Sequence, residues 1–184
     1  MAKKSPASGS QISSAQTLLA KEIEYIQGDL FKDLPKEGEI MIPHVCNDIG
    51  AWGAGFVIPL GRTFPKSEQN YRGFFKNKRD SQSNEPFKLG VTQFVEAETK
   101  NDRIVWVANM IAQEGVQSRE NPRPIVYEAL ESCIKQVAAH CDENTLIYAP
   151  KFGAGLAGGD WSKIEPMLIK HWLRKGLAVK VYFL

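Results

Sequence analysis

Two glycine-rich segments, each directly after an apolar run, constrain the fold of this chain more than any other feature. The first, HVCNDIGAWGAGFV (44–57), overlaps the apolar run EIMIPHVC, and the second, PKFGAGLAGGDW (150–161), follows TLIYA. Both contain Gly-Ala-Gly, at 53–55 and 153–155. In open α/β sheets, ligands bind at the carboxyl ends of the strands, where such segments lie. The pattern therefore predicts an α/β sheet with a ligand site built from two loops.

Strand-like and helix-like segments alternate along the chain after residue 22. Apolar and β-rich runs predict six strands, at 23–27, 39–46, 90–98, 103–111, 145–152 and 177–184. Apolar residues at three- and four-residue spacing predict helices at 65–75, at 125–141 and from 162 to a stop at Lys175-Gly176. The polar TKND between the third and fourth strands predicts a hairpin. This alternation favours a three-layer α/β/α sandwich around a mixed, mostly parallel six-stranded sheet.

Several local features refine this outline. Ser162 and Glu165 match a capping box at the start of the last helix. Pro59 follows the first glycine segment, and it fits the opening turn of a helix that begins near Gly55; otherwise that helix is shortened. Residues 76–89 are predicted to form an exposed loop. The Ser/Ala/Gly/Lys composition of residues 1–21 predicts a disordered lead before a single domain at 22–184.

Composition excludes several classes of protein. The net charge of +2 is too small to indicate nucleic-acid binding from bulk electrostatics. The cysteines Cys46, Cys133 and Cys141 show no disulfide or zinc spacing, and they favour a reducing, intracellular setting, cytoplasmic or alternatively nuclear. Neither a metal nor a cofactor is predicted. No apolar run approaches the roughly 20 residues that span a bilayer, so we expect no membrane association, and we expect a monomer.

The glycine segments suit a phosphate-containing ligand. Glycine-rich turns let consecutive backbone N–H groups face one anion, and two such loops side by side can bind a diphosphate without a lysine. Neither segment matches a P-loop, because no Gly-Lys-Ser/Thr follows, and neither has the glycine spacing of a Rossmann fingerprint. A single Gly-Ala-Gly is better explained by tight-turn packing. Two of them, each closing an apolar strand, favour ligand binding.

The order of four motifs resembles the macro domain family, which binds ADP-ribose. These are QGDL (27–30), HVCNDIGAWGAG, PKFGAGLAGGDW and the terminal VYFL. The form of the first glycine segment is similar to that of the ADP-ribose 1″-phosphate phosphatase branch. The resemblance implies a mixed sheet between helices. It also implies a crevice at the strand ends that takes ADP-ribose, a derivative of it or an ADP-ribosylated macromolecule.

The resemblance also implies roles for individual residues. Asp29 takes the place of the acid that accepts the adenine amino group, and Asn47 takes that of an asparagine at the distal ribose. The implied ligand contacts are Gly28, Asp29, Leu30, Asn47, Trp52, Gly53, Ala54, Gly55, Phe56, Gly153, Ala154, Gly155 and Leu156. The candidate catalytic residues are His44, Asn47, Asp48 and Asp160. The residue types agree, since an ionised carboxylate only accepts hydrogen bonds and an amide both donates and accepts.

Each of these side chains also has a structural interpretation. Asp29 and Asp160 can cap the turns or helices that follow them. Asn47 can satisfy loop backbone. His44 at a strand end can be a hydrogen-bonded core residue, and Trp52 can be core rather than a wall of the ribose pocket.

Three activities remain open for such a site. The first is hydrolysis of a distal-ribose substituent, above all the phosphate of ADP-ribose 1″-phosphate, with His44 as acid or base at an ordinary pKa of about 6.5. Asp48 or Asp160 would orient the attacking water. The second is binding of ADP-ribose without turnover.

The third activity is removal of ADP-ribose from a modified protein or nucleic acid. For a nucleic acid, the basic residues of the 76–89 loop (Lys76, Lys78, Arg79 and Lys88) offer a contact surface, although a solvated loop explains them equally. A related glycohydrolase branch uses a lysine near the end of the fourth strand and an aspartate after the second loop. Here the strand reads VANMIAQ without lysine, and Ala157 stands at the aspartate position. A lysine-intermediate mechanism is therefore not expected.

Overall fold

The computed structural model describes residues 21–184. Its strands are Glu24–Gln27 (β1), Gly38–Asn47 (β2), Thr92–Lys100 (β3), Arg103–Gln113 (β4), Leu146–Pro150 (β5) and Ala178–Phe183 (β6). Its α-helices are Val57–Thr63 (α1), Pro65–Asn77 (α2), Tyr127–His140 (α3) and Trp161–Leu168 (α4), with a 3₁₀ helix at Leu30–Lys32 and a π-helical turn at Ile169–Leu173. All six predicted strands and all three predicted helices are present. The predicted disordered lead lies outside the described residues except for Lys21.

The six strands form one sheet in the order β1-β6-β5-β2-β4-β3. Every neighbouring pair is parallel except β3 with β4, which form the hairpin predicted at TKND. The mixed, mostly parallel sheet is therefore confirmed. Because β2 lies between β5 and β4, the loops that follow β2 and β5 leave the same edge of the sheet side by side.

Alternating side chains of the strands divide the core into two layers. On β2, Ile40 and Ile42 face the cluster that contains α1 and α2 residues, whereas Met41 faces the α3 and α4 cluster. All three side chains are fully buried. A strand covered on both faces reads as a continuous apolar run, which is why β2 carried the strongest strand signal. The three-layer α/β/α sandwich predicted from the sequence is confirmed.

Of the two helix starts predicted from local signals, the structure contains one as predicted and one with a different cap. The helix after the first glycine segment begins at Val57, so Pro59 lies in its opening turn, where a missing N–H costs no intrahelical bond. The capping box at Ser162 and Glu165 is wrong. The helix α4 begins one residue earlier, and its cap is Asp160, whose carboxylate accepts from the Ser162 N–H at 2.9 Å. The Glu165 carboxylate accepts instead from the Tyr25 hydroxyl.

The segment after α2 differs from a simple exposed loop. Lys76, Lys78, Arg79 and Lys88 are exposed, as expected, and the Lys78 ammonium lies 3.8 Å from the centre of the Phe75 ring. Asp80, in contrast, is only 4% exposed and anchors the segment to β3. Among residues 21–184, every helix is too short or too polar to cross a membrane.

Candidate functional site

A cleft of about 520 Å³ opens at the carboxyl ends of β2 and β5. Its walls are the first loop, residues 48–56 after β2, and the second loop, residues 151–160 after β5. The ends of β2 and β4 form its floor, where His44 and Gln113 reach the lining. Of the predicted ligand contacts, the cleft lining includes Asn47, Gly53, Ala54, Gly55, Phe56, Gly153, Gly155 and Leu156.

In both loops, glycine carbonyls accept hydrogen bonds from later residues, whereas a run of neighbouring N–H groups makes none among the described residues. The carbonyl of Gly55 accepts from the Ile58 N–H at 3.1 Å, and the carbonyl of Gly153 accepts from the Gly159 N–H at 2.8 Å. Within residues 21–184, the N–H groups of 53–55 and 153–156 make no intramolecular hydrogen bond. Unpaired consecutive N–H groups attract anions. Both loops therefore present donors that a ligand can use.

Glycine is required where these loops turn or meet. Gly55 has a φ of +77°, and a Cβ there would lie 3.0 Å from the Cδ1 atom of Leu156 on the opposite loop. A Cβ on Gly159 would lie 2.3 Å from the Gly153 carbonyl oxygen, which is closer than atoms can approach. The second loop is thus folded tightly upon itself, and the two loops touch across the mouth of the cleft.

Asn47 holds the first loop together rather than offering its amide to a ligand. Its Oδ1 atom accepts from the N–H groups of Ile49 and Ala51 at 3.1 and 2.9 Å, and from the Tyr71 hydroxyl at 2.8 Å. Its Nδ2 atom donates to the Ala51 carbonyl at 2.7 Å. These contacts agree with the structural interpretation of Asn47, in which its amide satisfies the backbone of its own loop. One amide hydrogen remains for a ligand.

His44 reaches the cleft floor, but its environment lowers its pKa, and its catalytic role stays a prediction. His44 is 2% exposed, and its Nε2 atom lies 2.6 Å from the Asn109 Oδ1 atom. Burial lowers the pKa of His44 to about 4, and the hydrogen bond with Asn109 opposes this only in part. The imidazole is therefore neutral near pH 7, with its ring packed edge-on against Trp52 at 5.3 Å.

The two predicted catalytic carboxylates do not line the cleft. Asp48 binds the Gly115 N–H through Oδ1 at 2.7 Å and so ties the first loop to the segment after β4. Asp160 caps α4 on the outer side of the second loop, beside Ala154 and away from His44 and Asn47. Their roles in orienting water, expected from the sequence, have no support in this geometry.

The segment after β1 lies beside the cleft. Asp29 accepts from the Phe31 N–H at 3.0 Å and caps the 3₁₀ helix, while its side chain stays 43% exposed. Leu30 is buried in the core, so only its main chain can meet a ligand. Phe31 stacks on Phe56 at 5.4 Å and joins this segment to the first loop.

Two further expected contacts lie outside the cleft lining. Trp52 is 6% exposed and packs beneath the first loop, where its indole N–H donates to the Val57 carbonyl at 3.0 Å. Trp52 is therefore not part of the cleft lining in this structure, and its role as a wall of the ribose pocket stays a prediction. Gly28 has its N–H bound to the Phe183 carbonyl at 2.9 Å.

The sequence reasoning missed three polar residues of the cleft. Lys151, directly after β5, is exposed and lines the cleft between the loops. Gln113 ends β4 opposite Asn47, and Gln117 follows on the next turn of chain. All three come after parallel strands, so the rule that ligands bind at strand ends could have found them. The prediction that main-chain N–H groups bind the diphosphate without a lysine did not include Lys151.

Among residues 21–184, no carboxylate lines the cleft, and no three His, Cys, Asp or Glu side chains cluster as a metal site. Burial raises the pKa of Cys46, the one thiol in the lining, well above its ordinary value. The chemistry available at the cleft is therefore that of main-chain N–H groups and amides. Lys151 lines this cleft and also the outer side of the second loop, where its ammonium lies 5.8 Å from the centre of the Trp161 ring.

Solved structures identify the fold. A macrodomain protein from Streptomyces coelicolor is 37% identical, with a TM-score of 0.71 over 89% of this chain and 99% of that one. The chain belongs to the macro domain family. A protein of unknown function from Bacteroides thetaiotaomicron, also 37% identical, superposes with a TM-score of 0.76 over 90% of this chain and 99% of that one.

Curated relatives of this macro domain are more distant in sequence. The ADP-ribose 1″-phosphate phosphatase of Candida albicans is 26% identical over 152 residues, which are 79% of this chain and 91% of that protein. That of Meyerozyma guilliermondii is 27% identical over 168 residues, or 82% and 94%. No family model matches the chain.

We predict that Asn47→Ala lowers the free energy of unfolding by about 1–3 kcal/mol, because the Ile49 and Ala51 N–H groups lose their acceptor. Urea denaturation measures the change. Asn144→Ala, on an exposed turn, is the control, and it should change the stability by less than about 0.5 kcal/mol. Equal stability of the two variants would contradict the assignment of Asn47 as the support of the first loop.

The stability of the protein should also depend on pH through His44. Between about pH 6.5 and pH 4, the unfolded chain binds a proton at this residue that the folded protein does not bind. The free energy of unfolding is therefore expected to fall as the pH falls through this range, by at most about 3 kcal/mol. Denaturation at several pH values measures the slope, and His44→Gln should flatten it. A slope unchanged in that variant would assign the effect to another group.

Proposed function

We propose that this protein binds ADP-ribose in the cleft and hydrolyses ADP-ribose 1″-phosphate to ADP-ribose and phosphate. The observation that carries the proposal is the pair of adjacent loops with free N–H groups on either side of Lys151. The names of the yeast relatives supply the substrate. The chain covers nine tenths of their length, so the whole site of such an enzyme has room in it.

The diphosphate of the ligand is proposed to lie between the two loops. Its four non-bridging oxygens, which share two negative charges, would meet N–H groups from Gly53, Gly55, Gly153 and Gly155 and the ammonium of Lys151. Hydrogen bonds to charged acceptors are about twice as strong as neutral ones. The overall charge of +2 agrees with a site whose positive character is local and mostly main-chain.

The adenine is proposed to lie at the end of β1, where Asp29 accepts its amino group. The capping bond to Phe31 uses Oδ1 of this carboxylate, and Oδ2 has only Lys32, at 3.9 Å, nearby. An ionised carboxylate accepts hydrogen bonds and never donates them. It therefore favours a base with an amino group over one with a carbonyl at the same position.

The distal ribose is proposed to lie at the other end of the cleft, near Gln113 and Gln117. A water attacks the phosphorus in line there, the bond from phosphorus to the 1″ oxygen breaks, and a proton from the water passes to the leaving hydroxyl. Phosphoryl transfer needs little beyond positioning and neutralisation of charge on the phosphate oxygens. The two amides can orient the water, and N–H groups of the first loop can stabilise the phosphate.

A reader that binds ADP-ribose without turnover is the alternative that one observation favours. Among the described residues the cleft has no carboxylate lining it, and its one histidine is buried and neutral. No side chain is thus placed to take a proton from water. Hydrolysis of ADP-ribosylated protein or nucleic acid remains a further alternative, which assays on the modified macromolecules test directly.

The setting is proposed to be intracellular. Cys46, Cys133 and Cys141 are all buried free thiols, which is the state that a reducing compartment maintains.

We predict that Lys151→Gln lowers kcat/KM for ADP-ribose 1″-phosphate by about 10- to 100-fold, because a charge-assisted hydrogen bond of about 1.5–3 kcal/mol is lost. Release of inorganic phosphate is the measurement. Lys36→Gln, just before β2 at the opposite edge of the sheet, is the matched control and should keep the wild-type rate. Tight binding with no phosphate release by wild type would favour the reader.

Asp29→Ala is expected to raise the Kd of ADP-ribose by roughly 10- to 100-fold, measured by calorimetry. Asp29→Asn keeps an acceptor for the Phe31 N–H but adds a donor. The ratio of the Kd of the hypoxanthine analogue to the Kd of ADP-ribose should therefore be smaller for this variant than for the wild type. An unchanged preference in that variant would remove Asp29 from base recognition.

A further inference from the structure

Four polar side chains form a continuous buried row beneath the cleft. They are His44 on β2, Asn109 on β4, Gln93 on β3 and Asp80 in the segment after α2, and none is more than 4% exposed. The row crosses the α2 side of three neighbouring strands. Buried polar groups are costly unless they are hydrogen-bonded, so each contact in this row is a constraint on its neighbour.

The outer end of the row fixes the orientation of Gln93. Burial by itself raises the pKa of Asp80. The hydrogen bonds from Gln93 and Ser83 together lower it by more, so the pKa lies below its ordinary value. The ionised carboxylate only accepts. Gln93 Nε2 lies 2.7 Å from Asp80 Oδ1 and 3.1 Å from the carbonyl oxygen of Asn70. Two acceptors require the amide nitrogen here, so the Gln93 carbonyl must point to Asn109.

The next link fixes Asn109 in the same way. Its Nδ2 atom lies 3.1 Å from Gln93 Oε1 and 3.2 Å from the Ser67 carbonyl oxygen, both acceptors. Its Oδ1 atom therefore points to His44, 2.6 Å from Nε2. An acceptor at that distance requires a hydrogen on Nε2.

The other ring nitrogen, Nδ1, then carries a lone pair. The Cys46 sulfur lies beside the ring, 3.7 Å from Nε2 and 3.9 Å from Nδ1, so the thiol does not distinguish the two nitrogens. Burial raises the pKa of this thiol well above its ordinary value, so it is neutral beside the ring.

We propose that Asp80, Gln93 and Asn109 are positioning residues that fix His44 as the tautomer protonated at Nε2. The direction of every bond follows from acceptors that cannot reverse, which are the Asp80 carboxylate and the carbonyls of Asn70 and Ser67. The row differs from a simple anchor for the segment after α2 because its inner end sets the hydrogen position on a ring in the cleft floor.

The row also supports the first loop. The fixed ring packs against Trp52 at 5.3 Å and Phe56 at 6.1 Å, and Phe56 lines the cleft. This support of Phe56 rests on the proposed function, because it affects binding only if ADP-ribose lies against Phe56. The tautomer itself belongs to the protein without ligand.

Nitrogen NMR of the full chain labelled in its three histidines tests the proposal. We expect the wild-type His44 ring to show a hydrogen on Nε2 and a bare Nδ1, with no titration between pH 8 and about pH 5. A hydrogen on Nδ1, or an imidazolium at neutral pH, would overturn the proposal without any variant.

Two substitutions extend the test. Asp80→Asn replaces one of the three fixed acceptors by an amide that also donates, while the carbonyls of Asn70 and Ser67 remain. The bias on Gln93 is weakened, and we expect the His44 nitrogen signals to shift partly toward the tautomer protonated at Nδ1. Asn109→Asp places a carboxylate beside Nε2 and should raise the pKa of His44 by about 1–3 pH units. Asp142→Asn, whose carboxylate anchors a different turn, is the control and should leave the His44 signals unchanged.

Folded Asp80→Asn protein with wild-type His44 signals would show that Asp80 is only an anchor. Because these spectra are recorded without ligand, they are independent of whether ADP-ribose binds. Calorimetry with ADP-ribose on the same samples then separates the two results: a fixed tautomer with no ADP-ribose binding would leave the row intact and remove the proposed function.

Discussion

The cleft depends on the parallel pairing of β2 with β5 in the middle of the sheet. The paired residues, Ile40 with Leu146 and Met41 with Ile147, lie well before the strand ends. Beyond them the two strands diverge into the two loops. A parallel pair sends both chains out of the sheet at the same edge, so two loops far apart in sequence become the walls of one site. The glycines in the loops then let the main chain itself form those walls.

The polar side chains of the first loop serve mainly to hold that loop. The Asn47 side chain binds four groups of its own loop and of α2, and Asp48 binds the segment after β4. In the second loop, glycine carbonyls are bound by glycine N–H groups a few residues later. The carbonyls of Gly55, Gly153 and Gly155 are thus bound within their own loops, while the N–H groups of 53–55 and 153–156 stay free in the part of the chain that the structure describes. This division of roles explains how a protein of almost balanced charge can offer a site for a dianionic ligand.

The sequence predicted the fold well because its signals are local. The apolar run of β2 and the stripe of α3 each report burial of their own element. The row from Asp80 to His44 could not be predicted, because its members lie on three strands and a loop and carry no common spacing. The same limit applies to Asn47: a polar residue at a strand end has one appearance in sequence whether it faces a ligand or its own loop. Lys151 stands directly before the second Gly-Ala-Gly in PKFGAGL, but the prediction of main-chain donors did not include it.

The neutral state of His44 bears on the choice between enzyme and reader. In a loose phosphoryl-transfer transition state, charge spreads over the three equatorial oxygens, and the attacking water needs little help from a base. Hydrogen-bond donors fixed at those oxygens then supply most of the stabilisation. Among the described residues, the cleft offers free N–H groups and has no carboxylate in its lining, and such a transition state needs hydrogen-bond donors of this kind. An imidazolium beneath the first loop would add a buried charge to that wall. Burial keeps the ring neutral, while the Asn109 acceptor fixes Nε2 as the nitrogen that carries the hydrogen. The lack of a general base among the described residues of the cleft is therefore compatible with catalysis by positioning. The enzyme and the reader differ in one respect. An enzyme needs N–H donors for the phosphate on the distal ribose in addition to those that bind the diphosphate.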